Sequence, residues 1–183
     1  MSSSPRVIRI VAVYVVAIVF FLGAIPFLLL SLGLLLDSAL GVPQIPLRPL
    51  RPIMGAGLLA TGLGAIAWTN VTLLRLGRGH PQEVFGRSLL PSTERVVMEG
   101  PFRHTRNPMV LGGLVMLEGL SILVGSLSTA LLTVPGAAAL MIYYLRRWEE
   151  PALVARFGAD YESYRERVPI LIPWRKKTLD LTK

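Results

Sequence analysis

The chain has 183 residues, of which 52% are hydrophobic and 16% are charged, and its mean hydropathy is +0.58. Soluble domains carry about 25% charged residues, so this composition argues against a water-soluble globular domain. The absence of cysteine excludes disulfide frameworks, thiol catalysis and zinc–thiolate sites, and two histidines exclude a multi-histidine metal centre. The net charge of +8 indicates either nucleic-acid binding or basic residues gathered on one side of a membrane.

Long uncharged stretches predict four transmembrane helices. Residues 10–36 and residues 53–74 carry no charge, and residues 108–145 carry one, at Glu118. A span needs about 20 apolar residues, so the first two stretches are one helix each, and the third fits a tight helical hairpin that turns near residues 125–128. The chain is therefore predicted to be an all-α integral membrane protein. The predicted spans are residues 10–36, 53–74, 108–125 and 128–146.

The positions of the basic residues predict the orientation in the membrane. Four spans place both termini and the loop of residues 75–107 on one side, together with 17 of the 19 Lys and Arg residues. The positive-inside rule makes this side cytoplasmic, which explains the net charge without nucleic acid. The predicted organisation is one membrane domain, residues 1–183. It comprises a two-span half (1–74), a cytoplasmic loop (75–107) and a hairpin with the C-terminal segment (108–183).

Two patterns within the predicted spans are interpreted as structural. Pro26 removes a helical hydrogen bond, so the first span is expected to bend there. Residues 55–60 match the dinucleotide-binding pattern G-x-G-x-x-A, but they lie inside a predicted span, and that pattern requires a preceding strand. Ala56, Ala60 and Gly64 recur at four-residue spacing and predict a small-residue face for close helix packing.

Glu118 lies in the middle of the third predicted span. A carboxylate at this depth costs about 3 kcal/mol, so it should face the bundle interior and have a partner. Two interpretations stay open: a protonated glutamate hydrogen-bonded to a neighbouring helix, and a residue that lines a substrate cavity. Asn107 lies eleven residues earlier, about three helical turns away, so both side chains fall on nearly the same face.

The residues that precede the third span form a first group of polar candidates. Asn107 is a suitable N-cap, and Pro108 pre-sets the first helical turn. Arg103 and Arg106 come just before this helix start, and guanidinium groups beside exposed helix amides suit a carboxylate or a phosphate. The alternative is an ordinary positively charged membrane border with a helix cap.

A second group follows the fourth span. Arg146 lies four residues before Glu150, a spacing at which the two can pair on one helix face. Glu149 and Glu150 are either solvated charges or ligands for a cationic or hydroxyl-bearing cofactor. Beyond them, apolar residues at three- and four-residue spacing predict an amphipathic cytoplasmic helix, broken at Gly158, with its aromatic side chains facing the membrane. The apolar positions are Leu153, Phe157, Tyr161, Tyr164 and Val168.

The two groups share their spacing with a known family. The patterns are Gly-Pro-x-Arg followed by Arg-x-Pro-Met-x-Leu-Gly, and then Glu-Glu-x-x-Leu-x-x-x-Phe-Gly-x-x-Tyr-x-x-Tyr-x-x-x-Val-Pro, within residues 95–174. This region resembles the isoprenylcysteine carboxyl methyltransferase-like family, which includes the phospholipid N-methyltransferases. The resemblance implies a membrane enzyme that binds S-adenosylmethionine at the cytoplasmic face through these two segments.

The resemblance also implies roles for individual residues. Arg106, Asn107, Pro108 and Glu150 would contact the cofactor, and Arg146 would support Glu150 or meet the substrate. The family usually has histidine where this chain has Asn107, and asparagine cannot take up a proton near neutral pH. The implied cofactor-binding residues are Arg106, Asn107, Pro108, Glu149, Glu150, Tyr161 and Tyr164, and the catalytic candidates are Arg146 and Glu118.

The expected reaction is methyl transfer to a lipophilic or lipidated acceptor that enters from the bilayer, with no metal and no nucleic acid involved. The acceptor group can be a carboxylate, amine, hydroxyl or thiol. Two other classes stay open. One is an NADPH-dependent reductase similar to the sterol reductases, which are generally longer chains. The other is a four-helix exporter in which Glu118 exchanges protons for a cationic compound, which leaves the two cytoplasmic segments without a role.

Overall fold

The computed structural model describes residues 4–46, 49–77, 83–84, 87–88 and 96–173, and these residues form a helical protein. Two short strands, β1 (Glu83–Val84) and β2 (Arg87–Ser88), pair antiparallel. The described α-helices are α1 (Ser4–Ile18), α2 (Ile25–Leu40), α3 (Arg51–Thr72), α4 (Pro108–Val124), α5 (Val134–Tyr144), α6 (Glu150–Phe157) and α7 (Ala159–Arg167). The all-α prediction is confirmed.

The first helix is continuous from α1 to α2 through a π-helical segment, Val19–Ala24. Ile25 donates its backbone N–H to the Phe20 carbonyl, five residues back. Pro26 follows directly, near the start of α2, and is buried. Since proline has no N–H to donate, the wider π turn lies where the α-helical ladder is interrupted. The structure thus shows a π-helical segment directly before Pro26, and the bend at Pro26 stays a prediction.

Glycines allow α3 and α4 to approach closely along their length, in the most extensive helix contact of the described residues. A Cβ atom on Gly62 would lie within about 3 Å of the backbone of Gly112, and one on Gly119 equally close to the backbone of Gly55. The helices are therefore antiparallel, with Gly55 opposite Gly119 and Gly62 opposite Gly112. Such close backbone approach is what small residues permit in membrane helices.

The predicted small-residue face was the wrong one. Ala56, Ala60 and Gly64 are exposed, and a Cβ atom on Gly64 would meet no heavy atom within 4 Å. The face of α3 that packs is offset by about one residue from the predicted face. It is the face with Gly55 and Gly62, because these residues lie opposite the glycines of α4.

A tight turn joins α4 to the next helix. Gly125 ends α4 in the left-handed region at φ 85°, and its N–H bonds to the carbonyls of Ser121 and Ile122. The Asp37 carboxylate, near the end of α2, accepts hydrogen bonds from Ser126 Oγ at 2.5 Å and from the Ser128 backbone N–H at 2.8 Å. Asp37 thereby caps the start of the returning helix and joins α2 to the turn.

Three helical stretches are long and apolar enough to cross a membrane: Val11–Leu40, Arg51–Leu76 and Thr129–Phe157. The helix between the last two, α4, is apolar but has 17 residues. The protein is accordingly a membrane protein by its helices. The count of four spans stays a prediction that depends on α4.

The C-terminal helices α6 and α7 form a separate small core. Gly158 has φ 58° and breaks the helix between α6 and α7, as predicted. The core consists of three buried side chains, Tyr161, Tyr164 and Val168. Partly buried residues packed against it are Val96, Met98, Phe102, Leu153, Val154 and Phe157. The prediction that this apolar face meets the membrane is wrong, because residues 96–102 of the preceding loop cover it.

Candidate functional site

The site centres on an ion pair between residues 44 positions apart in the chain, Arg106 and Glu150. Arg106 Nη1 lies 2.6 Å from Glu150 Oε1, and only 9% and 10% of the two side chains are exposed. Glu150 is the first residue of α6, and Arg106 lies two residues before α4. The pair therefore joins the N-terminal ends of two helices, and its burial makes each charge depend on the other.

The buried polar atoms of this pair can accept or donate further hydrogen bonds. Arg106 Nε is buried and has no hydrogen-bond partner among the described residues. Arg106 Nη1 and Glu150 Oε1 contact each other at 2.6 Å and have no further partner there. Buried polar atoms are satisfied in nearly all folded proteins, so atoms without a partner call for an explanation. A polar ligand with both an anionic group and a donor group would satisfy the guanidinium and the carboxylate together.

Tyr161 completes the charged centre. Its side chain is 4% exposed, and its hydroxyl lies close enough to Arg106 and Glu150 for both charges to act on its pKa. Burial, and then the Glu150 charge, raises the pKa of Tyr161 to about 12, with a smaller effect in the same direction from Glu149. Tyr161 is therefore neutral at physiological pH and keeps its O–H proton as a donor.

Tyr164 contacts Tyr161 and the loop that precedes Arg106. Its hydroxyl donates to the Phe102 carbonyl at 2.7 Å, and its ring meets the Tyr161 ring edge-on, with centroids 6.0 Å apart. Burial raises the pKa of Tyr164 far above its usual value. Tyr164 thus fixes the position of Tyr161 and joins α7 to the loop that carries Arg106.

The segment from Thr105 to Pro108 is held by the chain that follows α7. The Arg106 backbone N–H donates to the Pro169 carbonyl at 3.0 Å, and Asn107 Nδ2 donates to the Ile170 carbonyl at 2.9 Å. Asn107 does occupy the N-cap position of α4, but its side chain makes no capping bond, because its amide is used for Ile170. Pro108 is buried as the first residue of α4.

The structure brings together most of the predicted site residues but not the two catalytic candidates. Arg146 is exposed, and Glu150 pairs with Arg106 instead, so the predicted Arg146–Glu150 pair is wrong. Arg146 lies inside the π-helical segment Leu145–Glu149, which ends directly before Glu150 and changes the helical register on which the four-residue rule depends. Glu118 is ten residues into α4, about 15 Å along its axis from the start, and is partly buried.

Sequence reasoning missed Thr105 and the contacts that Pro169, Ile170 and Leu171 make after α7. Thr105 is 2% exposed, and its hydroxyl donates to the Ile170 carbonyl at 3.2 Å. Val168 and Leu171 are equally buried. A signal was present in Val168, Pro169, Ile170 and Leu171, an apolar run that follows the charged end of α7 and is too short to form a helix.

The fold and the site define a helical membrane protein with a buried charged centre beside the start of the apolar helix α4. The chain belongs to the phospholipid methyltransferase family, whose pattern matches residues 50–160. The family resemblance found in the sequence is therefore confirmed. No curated protein and no solved structure matches the chain. The matched range includes both members of the ion pair and ends one residue before Tyr161.

Proposed function

We propose that the protein transfers a methyl group from S-adenosylmethionine to a lipophilic acceptor at the cytoplasmic face of the membrane. The observation that carries this proposal is the buried Arg106–Glu150 pair, in which Arg106 Nε has no hydrogen-bond partner among the described residues, in a chain of the phospholipid methyltransferase family. S-adenosylmethionine has a carboxylate, an ammonium group and ribose hydroxyls. A guanidinium suits the first of these groups, and a carboxylate suits the other two.

In this proposal the residues of the chain bind and orient the two reactants. Arg106 and Glu150 hold the polar end of the donor, and Tyr161 contributes a neutral hydroxyl beside them. When bound, the donor supplies a methyl group on a sulfonium. Holding the acceptor in line with that methyl group in a site without bulk water can supply most of the catalysis. An amine or hydroxyl acceptor would also need a base, whereas a carboxylate or thiolate would not.

The test is isothermal titration of the purified protein in detergent with S-adenosylmethionine and, separately, with NADPH. We expect binding of the methyl donor and none of NADPH. NADPH binding without donor binding would favour the reductase interpretation. Failure to bind either, together with proton-coupled efflux in vesicles, would favour the exporter. Neither of these alternatives is supported by the family match.

We also propose that α4 is the fourth span and that both termini are cytoplasmic. At 17 residues, α4 is about 25 Å long, close to the 30 Å of the hydrocarbon layer, and it packs along α3. The 17-to-2 distribution of basic residues supports the orientation. Alkaline phosphatase fused after Lys183 should be inactive and green fluorescent protein fused there fluorescent. Active phosphatase in the same position would contradict the topology.

Glu118→Gln is expected to leave donor binding unchanged, because Glu118 lies about 15 Å along α4 from the start of this helix, the end at which Arg106 lies. The glutamine keeps the shape of the side chain but cannot act as a base. Methyl transfer should fall by about 100- to 10,000-fold if the acceptor must lose a proton to Glu118, and by a few-fold at most if it need not. Titration and a methyl-transfer assay on this variant measure both effects. Loss of donor binding would contradict the geometry by placing Glu118 in the donor site.

A further inference from the structure

Residues 168–171 are joined to residues 105–107 by three hydrogen bonds. The Pro169 carbonyl accepts from the Arg106 backbone N–H at 3.0 Å. The Ile170 carbonyl accepts from Thr105 Oγ1 at 3.2 Å and from Asn107 Nδ2 at 2.9 Å. The chain that follows α7 is therefore bonded to the residues on both sides of Arg106 as well as to Arg106 itself.

The direction of these bonds is fixed by the donors and acceptors available. The Thr105 hydroxyl donates its one proton to Ile170, so it acts as the acceptor for the Asn107 backbone N–H at 3.3 Å. Asn107 must then present its NH₂ group to the Ile170 carbonyl, which uses both lone pairs. The Asn107 amide oxygen and its second N–H are the groups left for a ligand.

We propose that Asn107 is a positioning residue, which holds residues 168–171 against Arg106 and so fixes the guanidinium that binds the methyl donor. The proposal rests on the proposed function for the identity of the ligand. Position 107 therefore requires a side chain with an N–H donor that reaches the Ile170 carbonyl. Asparagine and neutral histidine both have such a donor, and aspartate, which has the shape of asparagine, has none.

The experiment compares Asn107→Asp with Asn107→His in detergent, after each variant is shown to elute as a single species. Two properties are measured: the Kd for S-adenosylmethionine, and trypsin cleavage after Arg167 in the absence of ligand. Arg167 is exposed and directly precedes the buried Val168, so cleavage reports release of the segment. We expect Asn107→Asp to weaken donor binding about 10-fold and to speed cleavage, and Asn107→His to preserve both properties within about two-fold.

Asn70→Asp is the matched control. Asn70 Nδ2 also donates to a backbone carbonyl at 2.9 Å, but its partner is Ile66, within the same helix α3, and not a residue of the segment 168–171. This change should leave both measurements as in the parent protein. Equal weakening in Asn107→Asp and Asn107→His with unchanged cleavage would overturn the proposal, since Asn107 would then be a direct ligand. Parental affinity and cleavage in Asn107→Asp would overturn it too. If the parent protein fails to bind the donor, the proposed function fails. The cleavage measurement still tests whether Asn107 holds residues 168–171 in place.

Discussion

Replacing Glu150 by glutamine is expected to abolish binding of S-adenosylmethionine and to lower the thermal stability of the protein. Only about a tenth of the Arg106 and Glu150 side chains is exposed, so the variant leaves a buried guanidinium without its counter-ion. Removing one partner of a buried pair costs about 3–5 kcal/mol. Removing a buried charged contact to a ligand weakens binding by about 100-fold or more. Titration with the donor and thermal unfolding in detergent measure the two effects.

The double variant Arg106→Gln with Glu150→Gln separates folding from binding. It removes both charges, so most of the lost stability should return, because two neutral polar groups replace one unpaired ion. Binding should not return. Glu162→Gln is the control: Glu162 is an exposed neighbour of Tyr161 on α7, and an exposed charge contributes about 1 kcal/mol at most. Parental donor affinity in Glu150→Gln would show that the ion pair serves folding alone.

Substituting alanine for Gly62 is expected to separate α3 from α4 and to destabilise the whole bundle. The added Cβ atom would lie within about 3 Å of the Gly112 carbonyl and of the Met116 backbone. Backbone atoms cannot rotate away as a side chain does, so one helix must shift. Inserting a methyl group into a closely packed contact costs about 1–3 kcal/mol. The melting temperature in detergent should fall accordingly.

Gly64→Ala, on the same helix, provides the matched control for this prediction. A Cβ atom there would meet no heavy atom within 4 Å, and alanine is a better helix former than glycine by about 1 kcal/mol. The Gly64 variant should therefore be as stable as the parent or slightly more stable. If both variants behaved alike, the glycine contact between α3 and α4 would be contradicted.

The helices and their turns could be predicted from the sequence because local patterns determine them. Uncharged stretches of span length identify the membrane helices, and Gly125 and Gly158 mark two points where the chain adopts positive φ. The contact face of α3 could not be predicted in this way. It depends on Gly55 and Gly62, seven residues apart, which face an equally spaced pair on α4, and a single helix does not reveal its partner.

The charged residues of the site were identified from the sequence, but their pairing was not. A local rule assigned Glu150 to Arg146, four residues away, whereas the structure pairs it with Arg106. Similarly, the apolar face with Tyr161 and Tyr164 was visible in the spacing. The spacing of an amphipathic helix does not reveal whether lipid or protein covers that face, and here residues 96–102 cover it.

The cap that Asp37 provides has a consequence for biosynthesis. Asp37 accepts hydrogen bonds from Ser126, 89 residues later in the chain, and from Ser128. Synthesis proceeds at about 5–20 residues per second, so Ser126 is made roughly 4–18 s after Asp37. During that interval the first helix is held in the bilayer by its apolar surface alone. Attachment of α2 to the rest of the bundle is thus a late step, which follows synthesis of the turn after α4.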